Sequence, residues 1–491
     1  MIRLPLLILS LIANATYTQH DGASAVLVRG SLFQGGLHVS GSQTLHGSEQ
    51  QFVMHMEEDF RFRLQTVGDL PECDGFDGTN SWHLNGSGVP HVSNYSDRDL
   101  ARILAYVQAG VWACKNSPIE IVSEQGDRLV IKCRDGSTTA NLELNPKTHT
   151  AKVLSCWGSS GAETWTFSEY RLTNGQLVPA KILHESGETK DKTVIEKFNM
   201  NTGGSRMPLP SPDGFTFDIN VNENIEVKRL YGYLFVRPKI DGKDEGWWFL
   251  DTGAEIMVID PAVARSHKMK VVGKDSVSGV VANITTNFSK GIKFNLGPVT
   301  IENSSYMEFD MKPFSEALGI RLAGICGHDF IGRAVLDIDP KKTTIGVLQP
   351  SLNNLPEGSN WTSFLFHGNM PSLICYFEGD KPGLFTLDTG SGSTVDFFSP
   401  CVKKFNLLKD RNVENVLTGG AGGSSESKTG VLDWFQFGPK KFEKPKVGFQ
   451  ITTKGGFASP YVEGNIGMGF MEKFRMILDY NASRLVLAET K

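Results

Sequence analysis

The chain has 491 residues, enough for about three domains of ordinary size, and 40% of its residues are hydrophobic. Its 49 basic and 54 acidic residues give a net charge of −5, with no long run of either sign. This balance argues against a nucleic-acid partner and against binding to an anionic membrane.

The first fifteen residues have the pattern of a secretory signal peptide. Arg3 precedes a short apolar stretch, residues 4–13, and Ala13-Asn14-Ala15 supplies the small residues of a cleavage site. A buried N-terminal helix and a membrane anchor are the alternatives, but the stretch is too short to span a bilayer. We therefore expect an exported protein, periplasmic or secreted, that begins near Thr16 and has no transmembrane segment.

Residues 16–200 are predicted to form an antiparallel β domain. Arg128 to Cys133 and Ala151 to Leu154 are short apolar-rich runs between turn residues. Asn174-Gly175 supplies the positive φ values that a tight hairpin needs. One helix is expected to interrupt the strands. It begins with a capping box at Ser96 to Asp99 and ends at Gly110. Its apolar stripe is formed by Leu100, Ile103, Leu104 and Val107. A curved antiparallel sheet with one helix is the expected result.

The seven cysteines leave the disulfide pattern open. Cys133 and Cys156 end two runs that could be neighbouring strands, so a bridge between them and buried free thiols are equally compatible with the sequence. No cysteines or histidines have the spacing of metal ligands, and we expect neither a metal nor another cofactor.

Residues 201–224 are predicted to be a linker, because they are rich in glycine, proline and serine. A second boundary lies near Pro350 to Ser359. It separates two further units, residues 225–350 and 351–491.

These two units carry the same motif. Leu250-Asp251-Thr252-Gly253 and Leu387-Asp388-Thr389-Gly390 each follow an apolar run. A second element follows each motif, Ile325-Cys326-Gly327 after 76 residues (327 − 251) and Asn465-Ile466-Gly467 after 79 residues (467 − 388). The repetition of both elements predicts two units of one architecture in tandem.

Two aspartates brought together have a definite chemistry. Carboxyl groups a few ångströms apart cannot both ionise, so they share a proton and titrate as a pair. The ionised member can take a proton from water while the protonated member polarises a carbonyl group. We therefore expect Asp251 and Asp388 to lie within about 8 Å of each other, close enough for one water to bridge them.

The paired motifs resemble those of the retropepsin-like aspartic proteases, and the tandem form resembles a bacterial aspartyl protease family protein. The resemblance covers about Ile225 to Lys491. It implies a mainly β fold with two retropepsin-like β-barrel lobes related by a pseudo-twofold axis. It also implies aspartic endopeptidase activity on a polypeptide substrate, with catalytic Asp251 and Asp388. Because both Asp-Thr-Gly loops lie in one chain and the segment between the repeats is short, we expect the active site to form within one chain.

The resemblance also assigns roles to the residues that follow each aspartate. The hydroxyls of Thr252 and Thr389 are expected to form hydrogen bonds across the axis. Gly253 and Gly390 let the chain turn and bring backbone amides to the carboxylates. Ser391 is expected to bond the outer oxygen of Asp388.

The first repeat has Ala254 where the second has Ser391, and alanine has no hydroxyl to offer Asp251. We therefore expect the two aspartates to be inequivalent, with Asp388 ionising more readily. Glu255 is expected to face solvent. The two apolar-glycine elements are expected to cross behind the aspartate loops, the second less ideally because of Asn465.

Each lobe of such a protein covers its substrate with a hairpin flap. Residues 277–281 and 418–423 fall in the corresponding intervals, with Gly279, Gly419 and Gly420 as the expected substrate-binding positions. The second segment is rich enough in glycine to move. Its other interpretation, a phosphate-binding loop, lacks the required helix and Lys-Ser/Thr pair.

The N-terminal region weakly resembles the lipoprotein-carrier-like half-barrels of the bacterial periplasm, through Phe60 to Arg63, Asp74 to Gly78, and Trp82. Such a sheet could hold an apolar ligand or a peptide, but a packing module is favoured because no polar constellation stands out. The alternative to a peptidase is thus a non-catalytic peptide- or lipid-binding module that uses the lobe cleft or this sheet. The presence of both aspartates favours the peptidase.

Overall fold

Short strands joined by tight turns make up most of the chain in a computed structural model. It describes residues 32–490 except 159–160, 174, 187–188, 200–208, 280–282, 303, 351–355 and 358. The predicted fold class, mainly β, is confirmed. The predicted signal peptide lies outside the described residues, as do Asn174, residues 201–208 of the predicted linker, and residues 351–355 and 358 of the predicted boundary. No helix in the described ranges has the length and apolarity to cross a membrane.

The N-terminal region is an antiparallel sheet with a helix. Its strands are Leu37–Leu45 (β1), Ser48–Met56 (β2), Phe62–Val67 (β3), Cys73–Phe76 (β4), Ser81–Leu84 (β5), Pro90–Ser93 (β6), Ile119–Gln125 (β7), Arg128–Cys133 (β8), Thr139–Leu144 (β9), Ala151–Gly158 (β10), Gly161–Thr173 (β11), Gln176–Ser186 (β12) and Thr189–Asn199 (β13). They pair in the order β6-β5-β4-β3-β2-β1-β13-β12-β11-β10-β9-β8-β7. A long antiparallel sheet of this kind has one face that apolar residues of another element must cover.

That cover is the helix Tyr95–Gln108 (α1), which begins slightly before the predicted Ser96 start. Its apolar stripe faces the sheet, and Ile103, Tyr106 and Val107 are fully buried. Gly110, with φ 72°, ends it as predicted, because a left-handed residue here suits glycine. Helix and sheet together form the core of this region.

All seven cysteines are free in the structure, so the bridge between Cys133 and Cys156 does not form. Cys133 is buried, and its thiol donates to the carbonyl oxygen of Asp99 at 3.9 Å. Burial raises the pKa of Cys133 to about 12. A thiol in this environment is inert.

The first repeat contains both short strands and short helices. Its strands are Phe215–Phe217 (β14), Asn224–Glu226 (β15), Lys228–Leu230 (β16), Tyr233–Val236 (β17), Lys239–Ile240 (β18), Lys243–Asp244 (β19), Trp247–Leu250 (β20), Val258–Ile259 (β21), Lys270–Ser278 (β22), Asn283–Lys290 (β23), Lys293–Leu296 (β24), Val299–Glu302 (β25), Tyr306–Glu308 (β26), Leu322–Cys326 (β27), Val335–Ile338 (β28) and Thr344–Leu348 (β29). Its helices are Pro261–Ser266 (α2), Lys312–Leu318 (α3) and His328–Ile331 (α4). Strand β14 lies inside the predicted linker and pairs with β25 at the edge of a sheet.

The second repeat follows the same plan. Its strands are Thr362–Ser363 (β30), Leu365–His367 (β31), Met370–Phe377 (β32), Lys381–Leu387 (β33), Val395–Phe397 (β34), Val413–Gly420 (β35), Gly423–Val431 (β36), Trp434–Phe437 (β37), Lys440–Glu443 (β38), Lys446–Gln450 (β39), Gly464–Ile466 (β40), Phe474–Asp479 (β41) and Arg484–Glu489 (β42). Its helices are Ser399–Lys404 (α5) and Met468–Met471 (α6), and Gly456–Ala458 forms one 3₁₀ turn.

Strand pairing recurs between the repeats. Strand β20 pairs parallel with β27, and β33 pairs parallel with β40. Strand β21 pairs antiparallel with β27 and parallel with β26. In the same way, β34 pairs antiparallel with β40 and parallel with β39. A hairpin, β22–β23 or β35–β36, then extends from β26 or β39. In both repeats this pairing positions the loop that carries Asp-Thr-Gly.

One sheet joins the repeats. Strands β15, β29 and β28 come from the first repeat, and β41, β42 and β30 from the second. Strands β28 and β41 meet in antiparallel pairs from Val335 with Asp479 to Ile338 with Met476. The buried core is continuous across both repeats, so the two aspartate loops are held in one framework.

Candidate active site

Asp251 and Asp388 follow the two inner strands β20 and β33. The backbone N–H of Asp251 donates to Cys326 O at 3.0 Å, and that of Asp388 donates to Ile466 O at 2.9 Å. Each aspartate is therefore fixed where its strand pairs with the apolar-glycine element of the same repeat.

Gly327 and Gly467 allow these elements to pass closely behind the loops. A Cβ atom on Gly327 would lie 2.6 Å from Ala254 O, and one on Gly467 would lie 2.7 Å from Ser391 O. Such distances leave no room for a side chain. The residues after both glycines tighten the contact, since His328 N donates to Ala254 O at 2.9 Å and Met468 N donates to Ser391 O at 2.8 Å.

The two threonines form a reciprocal set of hydrogen bonds. Thr252 N donates to Thr389 Oγ1 and Thr389 N donates to Thr252 Oγ1, each at 3.0 Å. The hydroxyl of Thr252 donates to Leu387 O and that of Thr389 donates to Leu250 O, each at 2.7 Å. Both threonines are buried. This arrangement links the aspartate loops and gives them a local twofold relation.

The carboxyl groups of Asp251 and Asp388 border the same small space. A Cβ atom on Gly253 would lie 2.6 Å from Asp388 Oδ1 and 3.2 Å from Asp251 Oδ1. A Cβ atom on Gly390 would lie 2.6 Å from Asp251 Oδ1. The two glycines thus allow the carboxyls to approach, and the structure brings both aspartates together.

The hydrogen bonds to the two carboxyls differ. Asp251 Oδ1 accepts the backbone N–H of Gly253 at 2.8 Å and that of Gly390 at 3.1 Å. Asp388 Oδ2 accepts the side-chain amide of Asn465, Nδ2, at 2.8 Å. The aspartates are therefore inequivalent, although not through the serine that the sequence indicated.

Burial raises the pKa of both aspartates above the ordinary carboxyl value. The pKa of Asp388 lies well above it, because burial acts together with the charge of Asp251. The pKa of Asp251 is raised by burial but lowered by the N–H donors of Gly253 and Gly390. The two backbone donors thus favour Asp251 as the ionised member, whereas the sequence led us to expect Asp388.

Ser391 explains part of this reversal. Its hydroxyl lies 2.8 Å from the Ser393 hydroxyl, and its Oγ accepts Ser393 N at 3.3 Å. The hydroxyl is thus used within its own loop rather than on Asp388. The role implied by resemblance for Ser391 is not what the structure shows.

Glu255 does not face solvent as predicted. Its carboxylate accepts Asn369 N at 3.4 Å, and its backbone oxygen accepts Asn369 Nδ2 at 3.0 Å. Burial raises its pKa, with opposing effects from His367 and from Asn369 N. Its side chain is turned toward the start of the second repeat, and it adds no like charge among the groups that shift Asp251.

Two tyrosines near the dyad were not identified from the sequence. Burial first, and then the charge of Asp388, raise the pKa of Tyr233, while burial and Asp251 raise that of Tyr480. Tyr233 begins the short apolar strand β17 and Tyr480 directly follows the apolar strand β41, so no local pattern distinguishes either tyrosine. Asn465, by contrast, could be noticed in the sequence, because it is a polar residue in an element that is apolar in the first repeat.

The two predicted flaps are in different environments. Gly279 is buried and its carbonyl oxygen accepts Gly456 N at 3.1 Å, while the neighbouring Val280 and Val281 lie outside the described residues. Gly419 and Gly420 end strand β35 at the tip of an exposed hairpin, and a Cβ atom on Gly419 would meet nothing within 4 Å. The first flap is thus packed at Gly279, whereas the tip of the second hairpin is open to solvent.

A known protein family matches part of the first repeat. Residues 236–330 match the family model described as "Aspartyl protease". The match includes Asp251, Thr252, Gly253 and Gly327 and ends before the second repeat. This similarity supports a protease-type hydrolase.

A crystal structure of a retropepsin-like aspartic protease from Rickettsia conorii is also similar. It shares 16% sequence identity, and the alignment covers 28% of this chain and 96% of that chain with a TM-score of 0.21. No curated protein matches the chain.

Proposed function

We propose that this chain is an aspartic endopeptidase whose catalytic groups are Asp251 and Asp388. The observation that carries the proposal is the pair of half-buried carboxyls from two Asp-Thr-Gly loops, joined by the reciprocal threonine bonds. Residues 225–350 and 351–491 act as two retropepsin-like lobes, each supplying one aspartate. The substrate is a polypeptide.

In this proposal the two unequal carboxyls take different parts in the first proton transfers. Asp251, ionised and held by two backbone N–H groups, takes a proton from a water molecule between the carboxyls. The water oxygen attacks the carbonyl carbon while Asp388 gives its proton to the carbonyl oxygen. A tetrahedral intermediate forms with no covalent bond to the protein.

Collapse of the intermediate returns both groups to their first state. The C–N bond breaks as Asp251 gives its proton to the leaving nitrogen, and Asp388 recovers a proton from one hydroxyl of the intermediate. A carboxylic acid and an amine leave the site. No cofactor is needed, because the two carboxyls supply the base and the acid.

The catalytic proposal is tested with Asp251→Asn and Asp388→Asn. An amide cannot share a proton as a carboxyl pair does, so each variant is expected to retain less than about one per cent of wild-type hydrolysis. The measurement is cleavage of a peptide library from acid to neutral pH, followed by mass spectrometry. Unchanged thermal unfolding at acid pH shows that each variant is folded.

The same experiment distinguishes the alternative of a non-catalytic binding module. Such a module binds library peptides but releases them intact at every pH. Wild-type protein that binds without cleaving would support it, and residual cleavage above about one per cent in either variant would indicate another catalytic group.

Export to the periplasm or the exterior belongs to the proposal and rests on residues 1–15 alone. The expected mature chain begins near Thr16. Mass spectrometry of protein from cells is the measurement, and intact Met1 in the final product would contradict export by cleavage.

A further inference from the structure

Asn465 lies behind Asp388 at a position where the first repeat has an aliphatic residue. It stands two residues before Gly467, as Ile325 stands two residues before Gly327. Both belong to the strand that pairs parallel with an aspartate-bearing strand, β40 in one repeat and β27 in the other. The exchange of isoleucine for asparagine therefore places one amide beside only one of the two carboxyls.

The position of this amide is fixed by its surroundings. Asn465 is only 7% exposed, and its strand is paired on both sides, with Thr386 of β33 and with Asp396 of β34. Its Nδ2 lies 2.8 Å from Asp388 Oδ2. A buried side chain on a central strand has little freedom to turn away, so this contact is built into the fold.

The amide takes the place that resemblance gave to a serine hydroxyl. Ser391 is engaged with Ser393, which leaves Asn465 as the side-chain donor to Asp388. Ile325 has no polar group to offer Asp251, whose Oδ1 instead accepts two backbone N–H groups. Asp388 thus receives a side-chain amide on Oδ2 in addition to a backbone hydrogen bond from Gly390, whereas the matching residue of the first repeat, Ile325, offers Asp251 none.

We propose that Asn465 is a positioning residue, which occupies Asp388 Oδ2 with an N–H donor and so directs the shared proton to Asp388 Oδ1. This inference rests on the proposed function. Oδ1 is the oxygen that borders the space shared with Asp251 Oδ1 beside Gly253. A proton there lies between the carboxyls, where it can pass to a substrate carbonyl.

The direct test is the titration of the dyad in the full chain with Asn465→Leu. The aspartate carboxyl carbons are labelled with ¹³C and followed by NMR in wild type and variant. A hydrogen bond to the charged form favours that form, so its loss is expected to raise the upper apparent pKa of the pair by about one unit. Leucine suits the site, because the first repeat carries an aliphatic residue at the matching position.

Ile325→Leu is the matched control. It changes the equivalent strand position in the first repeat without adding or removing a donor, and it is expected to leave both apparent pKa values unchanged. An equal shift in both variants would show an effect of packing alone and would overturn the proposal. A downward shift in Asn465→Leu would also overturn it, because it would mean that the asparagine oxygen accepts a proton from Asp388.

Kinetics give a second readout. Asn465→Leu is expected to move the basic limb of the pH profile of kcat/KM to higher pH by about one pH unit. KM should stay within about twofold of the wild-type value, since Asn465 does not reach the substrate. An unmoved limb in a variant that still hydrolyses peptides contradicts the proposal. If wild type cleaves no peptide at any pH, the proposed function fails, but the NMR titration still decides the role of Asn465.

Discussion

At the scale of single residues, the dyad opposes the stability of the fold. Burial raises the pKa of Asp388 well above the ordinary carboxyl value. The folded state therefore holds a proton that the unfolded state has released, in the range from about pH 4, the ordinary value, up to the folded pKa. In that range the free energy of unfolding falls as the pH rises. The proposed mechanism needs a neutral acid at Asp388, which accounts for this loss of stability.

Asp388→Asn is therefore expected to stabilise the protein at neutral pH. The amide keeps the shape and an acceptor for Asn465 but has no charge to bury, and the expected gain is on the order of 1 kcal/mol. Calorimetry at pH 4 and pH 7.5 measures it, with the gain confined to the higher pH. Asp433→Asn is the control, because that exposed carboxylate pairs with Lys444 and its pKa is lowered, so no gain is expected. Wild type more stable than Asp388→Asn at pH 7.5 would contradict the prediction.

At the scale of elements, the N-terminal region holds the first hairpin, β22–β23. Lys274 N donates to His46 O at 2.7 Å. The His46 ring bonds Asp275 on the hairpin and, at 3.1 Å, Glu72. Burial by itself lowers the pKa of His46, but the hydrogen bonds to Asp275 and Glu72 outweigh it and raise the pKa to about 10. The ion pair between His46 and Asp275 attaches the first hairpin to the N-terminal region. The second hairpin is open to solvent, and its Leu417 is 74% exposed.

His46→Ala is expected to loosen the first hairpin and not the second. Loss of a hydrogen-bonded charge pair should speed amide exchange in Lys270–Ser278 at least about tenfold, as measured by hydrogen-exchange mass spectrometry. Because the folded pKa is raised, the contribution of His46 is complete below about pH 6.5 and is lost as the pH rises through about 10. His55→Ala is the control, since His55 bonds His38 within the N-terminal sheet. Equal exchange in wild type and His46→Ala would show that the histidine does not hold the hairpin.

At the scale of the whole molecule, the repeats are joined by more than the chain between them. Strands β28 and β41 share a sheet, and Arg475 reaches across it to Asp337 with Nε–Oδ1 2.8 Å and Nη2–Oδ2 2.5 Å. The N-terminal region is attached as well, because Asn85 Nδ2 donates to Asp329 Oδ1 at 2.6 Å in a buried contact. The dyad should therefore assemble within one molecule.

An equal mixture of Asp251→Asn and Asp388→Asn chains is accordingly expected to stay inactive. Exchange of repeats between molecules would have to break the shared sheet and the continuous core. Peptide cleavage by the mixture is compared with that of the separate variants, and a mixture of wild type with either variant should show half the wild-type activity per chain. Wild-type specific activity should also stay constant on dilution into the nanomolar range. Restored activity would mean that the repeats pair between chains.

The local sequence determined the elements of this protein. Periodicity and turn residues located β8, helix α1 and its end at Gly110, because those features depend on neighbouring residues. The repeated Asp-Thr-Gly motifs and the glycines that follow them indicated both aspartates, because close backbone approach demands glycine wherever it occurs.

Only the tertiary structure decided how the two aspartates differ and what surrounds them. Ser391 was the plausible donor to Asp388, yet its hydroxyl bonds Ser393, and Asn465, 77 residues beyond Asp388, donates instead. His46 and Asp275 are 229 residues apart, and no local pattern connects them. Hydrogen bonds and burial between distant segments set these features, and both depend on where the folded chain brings those segments together.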